Sequence, residues 1–203
     1  MSNNGGQAIT EHLVQLFDSG ESLSDTVSAF LCTGLLRGST VLAVLNRPHW
    51  VSVAARLRRQ WACFDDAIRS GQLTMRDAAE TMSLFMRNGR PDRDLFARSV
   101  GRVVRKLASR GKPLWIYGEM VDLLAQQGEY RGAEQLEQLW NEFGRQRPFT
   151  LFCGYSAENF GNPRHADSLR AICRSHSHVR SNPRDLLSVF LLEPHITSSA
   201  SAL

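Results

Sequence analysis

Residues Thr40–Leu45, TVLAVL, form an unbroken run of β-branched and other apolar side chains. A strand with one wet face alternates polar and apolar residues. A continuous run needs both faces covered, as in a parallel sheet packed between helices. Shorter runs of the same kind recur at 114–117 (LWIY) and 149–153 (FTLFC), and 72–75 is a weaker candidate. Between these runs, apolar residues fall at helical spacing. They predict helices over about 23–36, 50–61, 76–86, 92–110, 119–128, 130–145 and 164–175. Ser22-Leu23-Ser24-Asp25 has the form of a helix start, and Asn162-Pro163 fits an N-cap with proline at the first helical position. The segment 11–17 (EHLVQLF) reads as a short strand or a helical turn. Strands alternating with helices predict an α/β fold of three layers, a mostly parallel sheet flanked by helices.

The chain has 203 residues and 42% apolar content, ample for one buried core. Its net charge of +4 comes almost wholly from arginine, since Lys106 and Lys112 are the only lysines. The densest run, Arg56-Leu57-Arg58-Arg59, reads as a solvated helix face before it reads as a phosphate patch. No helix-turn-helix or zinc-finger pattern is present, so direct nucleic-acid binding is not expected. Four widely spaced cysteines without a CxxC pair suit reduced thiols of a cytoplasmic protein. Residues 1–10 are polar, lack a signal-peptide core and are expected to be disordered. No run reaches the ~20 apolar residues that span a bilayer, so no membrane association is expected. Residues 181–203 carry an apolar segment at 186–192 and read as an appendage that packs back or docks a partner.

In open α/β sheets, ligands bind outside the carboxyl ends of the strands. That rule gathers Asn46, Arg47 and His49, then Gly118 and Glu119, then Cys153, Gly154 and Tyr155. The loop after Leu45 lacks the glycines and lysine of a phosphate loop, which argues against ATP hydrolysis by that mechanism. Cys153 with His176 or His178 could form a nucleophile–base pair, but no orienting third group is evident. His12, Cys153, His176 and His178 are metal-ligand types without the tight spacing of a metal motif. The reading therefore assigns no catalytic residue, no metal and no cofactor, and expects no enzyme. Each candidate also has a plain structural role: Cys153 as a small buried hydrophobe, Glu119 as a first-turn acid, and His176 and His178 as residues after a helix.

Taken in order, several segments resemble one known family. They are His12-Leu13-Val14-Gln15-Leu16-Phe17, the strand 41–45, Phe85-Met86-Arg87-Asn88-Gly89-Arg90-Pro91-Asp92, and Tyr117-Gly118-Glu119-Met120. Leu136-Glu137-Gln138-Leu139-Trp140-Asn141, Leu151-Phe152-Cys153-Gly154-Tyr155 and His176-Ser177-His178-Val179 complete the series. Over 11–180 the chain resembles the MEDS family (methanogen/methylotroph, DcmR sensory domain). The resemblance implies a RecA/KaiC-like fold without the phosphate loop, and a sensory role in prokaryotic signalling for small, hydrocarbon-derived ligands. It also implies ligand contacts at His12, Cys153 and the His176/His178 pair. Joined to the strand-end rule, the expected ligand-binding set is His12, His49, Glu119, Cys153, Tyr155, His176 and His178. The expected partner is a regulatory protein, a histidine kinase or transcription regulator, with a homodimer as the other route. The alternative is an interaction module, an anti-regulator or kinase-associated scaffold, with a vestigial pocket.

Overall fold

The computed structural model describes residues 11–180. The stretches 1–10 and 181–203, expected to be a disordered terminus and an apolar appendage, lie outside the described residues.

Six parallel strands form one sheet. They are β1 (Glu11–Phe17), β2 (Thr40–Leu45), β3 (Leu73–Asp77), β6 (Leu114–Gly118), β7 (Thr150–Ser156) and β8 (His178–Arg180), in spatial order β3-β2-β6-β7-β1-β8. The segment 11–17 is thus a strand, and an interior one, hydrogen-bonded to β7 on one side and β8 on the other. All six residues of β2 are buried, as its uninterrupted apolar run requires.

Helices α1 (Gly20–Leu36), α2 (Arg47–Gln60) and α3 (Phe64–Ser70) cover one face. Val27, Phe30, Leu31, Val53, Leu57 and Phe64 pack there against Leu13, Phe17, Val41, Leu45, Tyr117 and Phe152. The other face is covered by α4 (Ala78–Ser83), α5 (Arg93–Arg98), α6 (Val100–Ala108), α7 (Met120–Gln126), α8 (Tyr130–Gln146) and α9 (Ala166–Ser175). There Phe96, Val104, Leu124, Leu136, Trp140 and Ile172 meet Val14, Leu16, Val44, Ile116, Leu151, Cys153 and Tyr155. The split follows the two-residue period of each strand.

Several boundaries differ from the sequence reading, each for a local reason. Helix α1 begins before Ser22, because the Ser19 side chain accepts from Ser22 N–H and caps it. Helix α2 absorbs the expected loop 46–49: Asn46 is its N-cap, accepting from His49 N–H, with Pro48 in the first turn, where no N–H is needed. The helix expected over 76–86 is shorter, because Arg76 and Asp77 end β3 and Asp77 then caps α4. Between the helices expected over 76–86 and 92–110 lies a small hairpin, β4 (Met86–Arg87) with β5 (Arg90–Pro91), whose turn residues Asn88 and Gly89 both adopt the positive φ that such a turn demands. The helix expected over 92–110 is divided at Ser99. Strand β7 runs on past the expected end at Cys153 through Gly154, Tyr155 and Ser156, which pair with Gln15, Leu16 and Phe17. The His176-Ser177-His178 triplet leads into a further edge strand, β8.

The arginine run on α2 is partly engaged within the chain. Arg56 pairs with Asp25, and Arg58 lies 3.3 Å from Asp65 and over the Phe64 ring. Among the described residues, no helix is long and apolar enough to cross a membrane.

Candidate functional site

Two groups of polar side chains interrupt this packing, one on each face of the sheet. The first lies where the winding reverses. The chain leaves β2 for β3 over the α2–α3 face, and leaves β6 for β7 over the α7–α8 face. The crevice between the carboxyl ends of β2 and β6 is therefore the topological switch point, where α/β sheets bind ligands. Glu119, directly after β6, fills it and is 1% exposed. Its carboxylate accepts from Asn46 N–H at 3.0 Å, from His49 Nδ1 at 2.8 Å and from the Tyr117 hydroxyl at 3.4 Å. The hydrogen bond to Glu119 raises the His49 pKa, against the opposing effect of burial.

Beside this pair a cavity of about 220 Å³ opens at the ends of β1, β2 and β7. Phe17, Ser19, Leu23, His49, Asp122 and Glu158 are among its lining residues. Burial pushes the Asp122 carboxyl up, although Ser156 N–H, the Gln126 amide and the Asn159 amide all donate to it at 2.7 Å. With Asp18, Asp122 and Glu158 around it, the cavity is acidic. That is the reverse of a phosphate cradle, and the junction Asp18-Ser19-Gly20 supplies no lysine. A larger cavity, about 430 Å³, lies between β2, α4 and α5–α6. It is lined by Val44, Leu84, Leu95 and Val103, with Arg76 and Arg98. None of the candidate residues is in its lining, although Val44, which is, accepts from Glu119 N–H at 3.0 Å.

The second group is buried between β1, β7, α8 and the end of α9. The Glu137 side chain, on α8, is 0% exposed. His12 Nε2 approaches its carboxylate to 3.2 Å and Cys153 Sγ to 3.4 Å. Cys153 Sγ lies 3.5 Å from Glu137 Oε2, and the Tyr155 hydroxyl donates to Oε1 at 2.8 Å. His176 Nε2, fully buried, lies 3.4 Å from Oε1 but has no hydrogen-bond partner, and its ring rests 3.9 Å from that of His12. Burial raises the Glu137 carboxyl, and the charges of His176 and His12 outweigh it, so the net shift is downward. For His176 burial lowers the pKa, and the Glu137 charge together with hydrogen bonds to Glu137 and the Ile172 carbonyl outweighs it, so the net shift is upward. Burial, then the Glu137 charge, push both the Cys153 thiol and the Tyr155 phenol well above their usual ranges. Cys153 is thus a protonated, buried thiol, unlike the exposed thiolate of a nucleophilic enzyme.

Of the seven expected contacts, the structure brings His12, Cys153, Tyr155 and His176 together. It places His49 and Glu119 across the sheet, beyond β6 and β7. His178 joins neither group; it is exposed on β8, with Nδ1 3.1 Å from Ser177 Oγ. The single pocket expected from the sequence is therefore two separate sites. Glu137 and Asp122 were absent from the expected set. For Glu137 a signal existed: it is a charged residue within the apolar stripe Ala133, Leu136, Trp140.

A family model described as MEDS, MEthanogen/methylotroph, DcmR Sensory domain, matches residues 11–177. No curated protein matches the chain.

Proposed function

Because this chain belongs to the MEDS family of sensory domains, we propose that it binds a small molecule in the cavity at the strand ends and passes the bound state to a regulatory partner protein. The observation that carries this reading is the acidic cavity of about 220 Å³ beside His49 at the switch point. Its volume is below the range of ~300–1,000 Å³ that holds drug-sized ligands, so it suits a compound of few heavy atoms. Its carboxylates favour a hydrogen-bond donor, and Phe17 and Leu23 offer a short apolar wall. Small alcohols and amines, simple hydrocarbon derivatives, have that chemistry. The protein acts as a binding module of the cytoplasm and not as a catalyst. The protonated, inaccessible Cys153 supports this, because it leaves the Cys/His pair without a usable nucleophile. Helix α2 starts at the cavity through Asn46 and His49, so occupancy there bears on the surface that α2 presents to a partner.

The test is calorimetric titration with a panel of small alcohols and amines, on wild type and on His49→Ala and Glu158→Ala. Saturable binding that weakens at least several-fold in both variants is expected. Binding unchanged in both variants, or no binding to any member of the panel, would count against the site.

A further inference from the structure

We infer that His12, Glu137, Cys153 and His176 form a four-ligand site for a divalent transition-metal ion of the zinc type. The four donor atoms all lie within 4.8 Å of one another. Zinc bonds of about 2.0–2.3 Å to N, O and S give tetrahedron edges of roughly 3.3–3.7 Å. With Glu137 Oε2 as the oxygen ligand, the separations of 3.2, 3.4 and 3.5 Å among His12, Cys153 and Glu137 are already near such edges, and His176 Nε2 lies 3.4 Å from the other carboxylate oxygen, Oε1. Two imidazoles, a thiolate and a carboxylate are the ligand types that select zinc over magnesium or calcium.

The outer hydrogen bonds fix the rings for this task. His176 Nδ1 lies 2.7 Å from the Ile172 carbonyl, which can only accept, so Nδ1 carries the hydrogen. Asn141 donates its Nδ2 to the Ser175 carbonyl at 2.7 Å and therefore turns Oδ1 to His12 Nδ1 at 2.9 Å, which must donate too. When the ion binds, each ring keeps its hydrogen on Nδ1 and turns an Nε2 lone pair inward, the arrangement that outer-shell acceptors impose on metal-binding histidines, and an Nε2 proton paired with Glu137 in the metal-free protein leaves to solvent. His176 Nε2 is the one buried side-chain nitrogen or oxygen without a hydrogen-bond partner among the described residues, and it is aimed at this centre. Tyr155, donating to Glu137 Oε1, holds the carboxylate in place. On binding, the ion takes the Cys153 sulfur as thiolate and the thiol proton leaves to solvent. With four protein ligands the site is closed, so the ion would tie β1 and β7 to the middle of α8 and the end of α9.

None of these four residues lines the strand-end cavity, so either site can fail without the other. The test is titration of tag-free, metal-stripped protein with Co²⁺. Expected are one ion per chain, intense visible bands of four-coordinate cobalt, a thiolate charge-transfer band, and displacement by Zn²⁺. Cys153→Ala should lose the charge-transfer band, and His178→Ala should keep it. X-ray absorption of the Zn²⁺-loaded wild type needs no variant, and should give one sulfur and two imidazoles in the first shell. Failure of the wild type to bind one equivalent, a charge-transfer band retained in Cys153→Ala, or a sulfur-free first shell would overturn the assignment.

Discussion

His12 Nε2 and the Glu137 carboxylate face each other at 3.2 Å inside the protein, with side-chain exposures of 4% and 0%. Strand β1 brings one and helix α8 the other, so the contact joins the sheet to the layer over it. An ion taken from water at this depth is tolerable only with its partners in place. Removing one partner of such a pair costs about 3–5 kcal/mol. Glu137→Gln in metal-stripped protein is therefore expected to lose that much stability by urea denaturation. At this chain length that corresponds to a drop in melting temperature of roughly 6–20 °C. A loss under about 1 kcal/mol would mean that the carboxylate is not paired.

Tyr155→Phe removes a hydroxyl that donates to Glu137 Oε1 at 2.8 Å and leaves the ring in place. A hydrogen bond to a charged group contributes about 1.5–3 kcal/mol. Denaturation midpoints should fall accordingly, with an unchanged slope.

The pH dependence centres on His49. Its folded pKa lies above the unfolded value of about 6.5, first through its hydrogen bond to Glu119. Between those two values the folded state holds more protons, so stability falls as pH rises. The contribution is complete below about 6.5 and is lost as pH climbs through the folded value. His176 shifts the same way, so the comparison must be by difference. Subtracting the His49→Gln curve from that of wild type should leave a component that declines above about pH 6.5. A component that rises with pH would reverse the assignment.

Gly154 lies in the middle of the sheet, where β7 passes Tyr117 and Phe17. A Cβ added there would overlap the Tyr117 phenol oxygen and meet Phe17 Cε2 at 3.1 Å. Tyr117 is 0% exposed and cannot swing away. Gly154→Ala should cost about 1–3 kcal/mol by overpacking, read as a lower denaturation midpoint.

The layered α/β plan was legible because periodicity records burial. The run TVLAVL could only be a strand covered on both faces, and the stripe Ala133, Leu136, Trp140, Phe143 could only be a buried helix face. Strand β1 was ambiguous for the same reason: His12 and Gln15 break the apolar run, yet both are buried through tertiary contacts that local sequence does not encode. The candidate site was half legible. His12, Cys153, Tyr155 and His176 were named, but the strand-end rule does not say which face a side chain takes. His49 and Glu119 were therefore merged with residues across the sheet. Glu137 was not among the expected contacts. Only its place in the apolar stripe distinguishes it.

The strand-end cavity is tested most directly by a crystal structure of the protein with whichever small alcohol or amine binds in titration. The compound should lie between Phe17, Ser19, His49 and Asp122, with a donor directed at a carboxylate. Density for it in the larger cavity between α4 and α5–α6, or anywhere away from His49, would contradict the assignment.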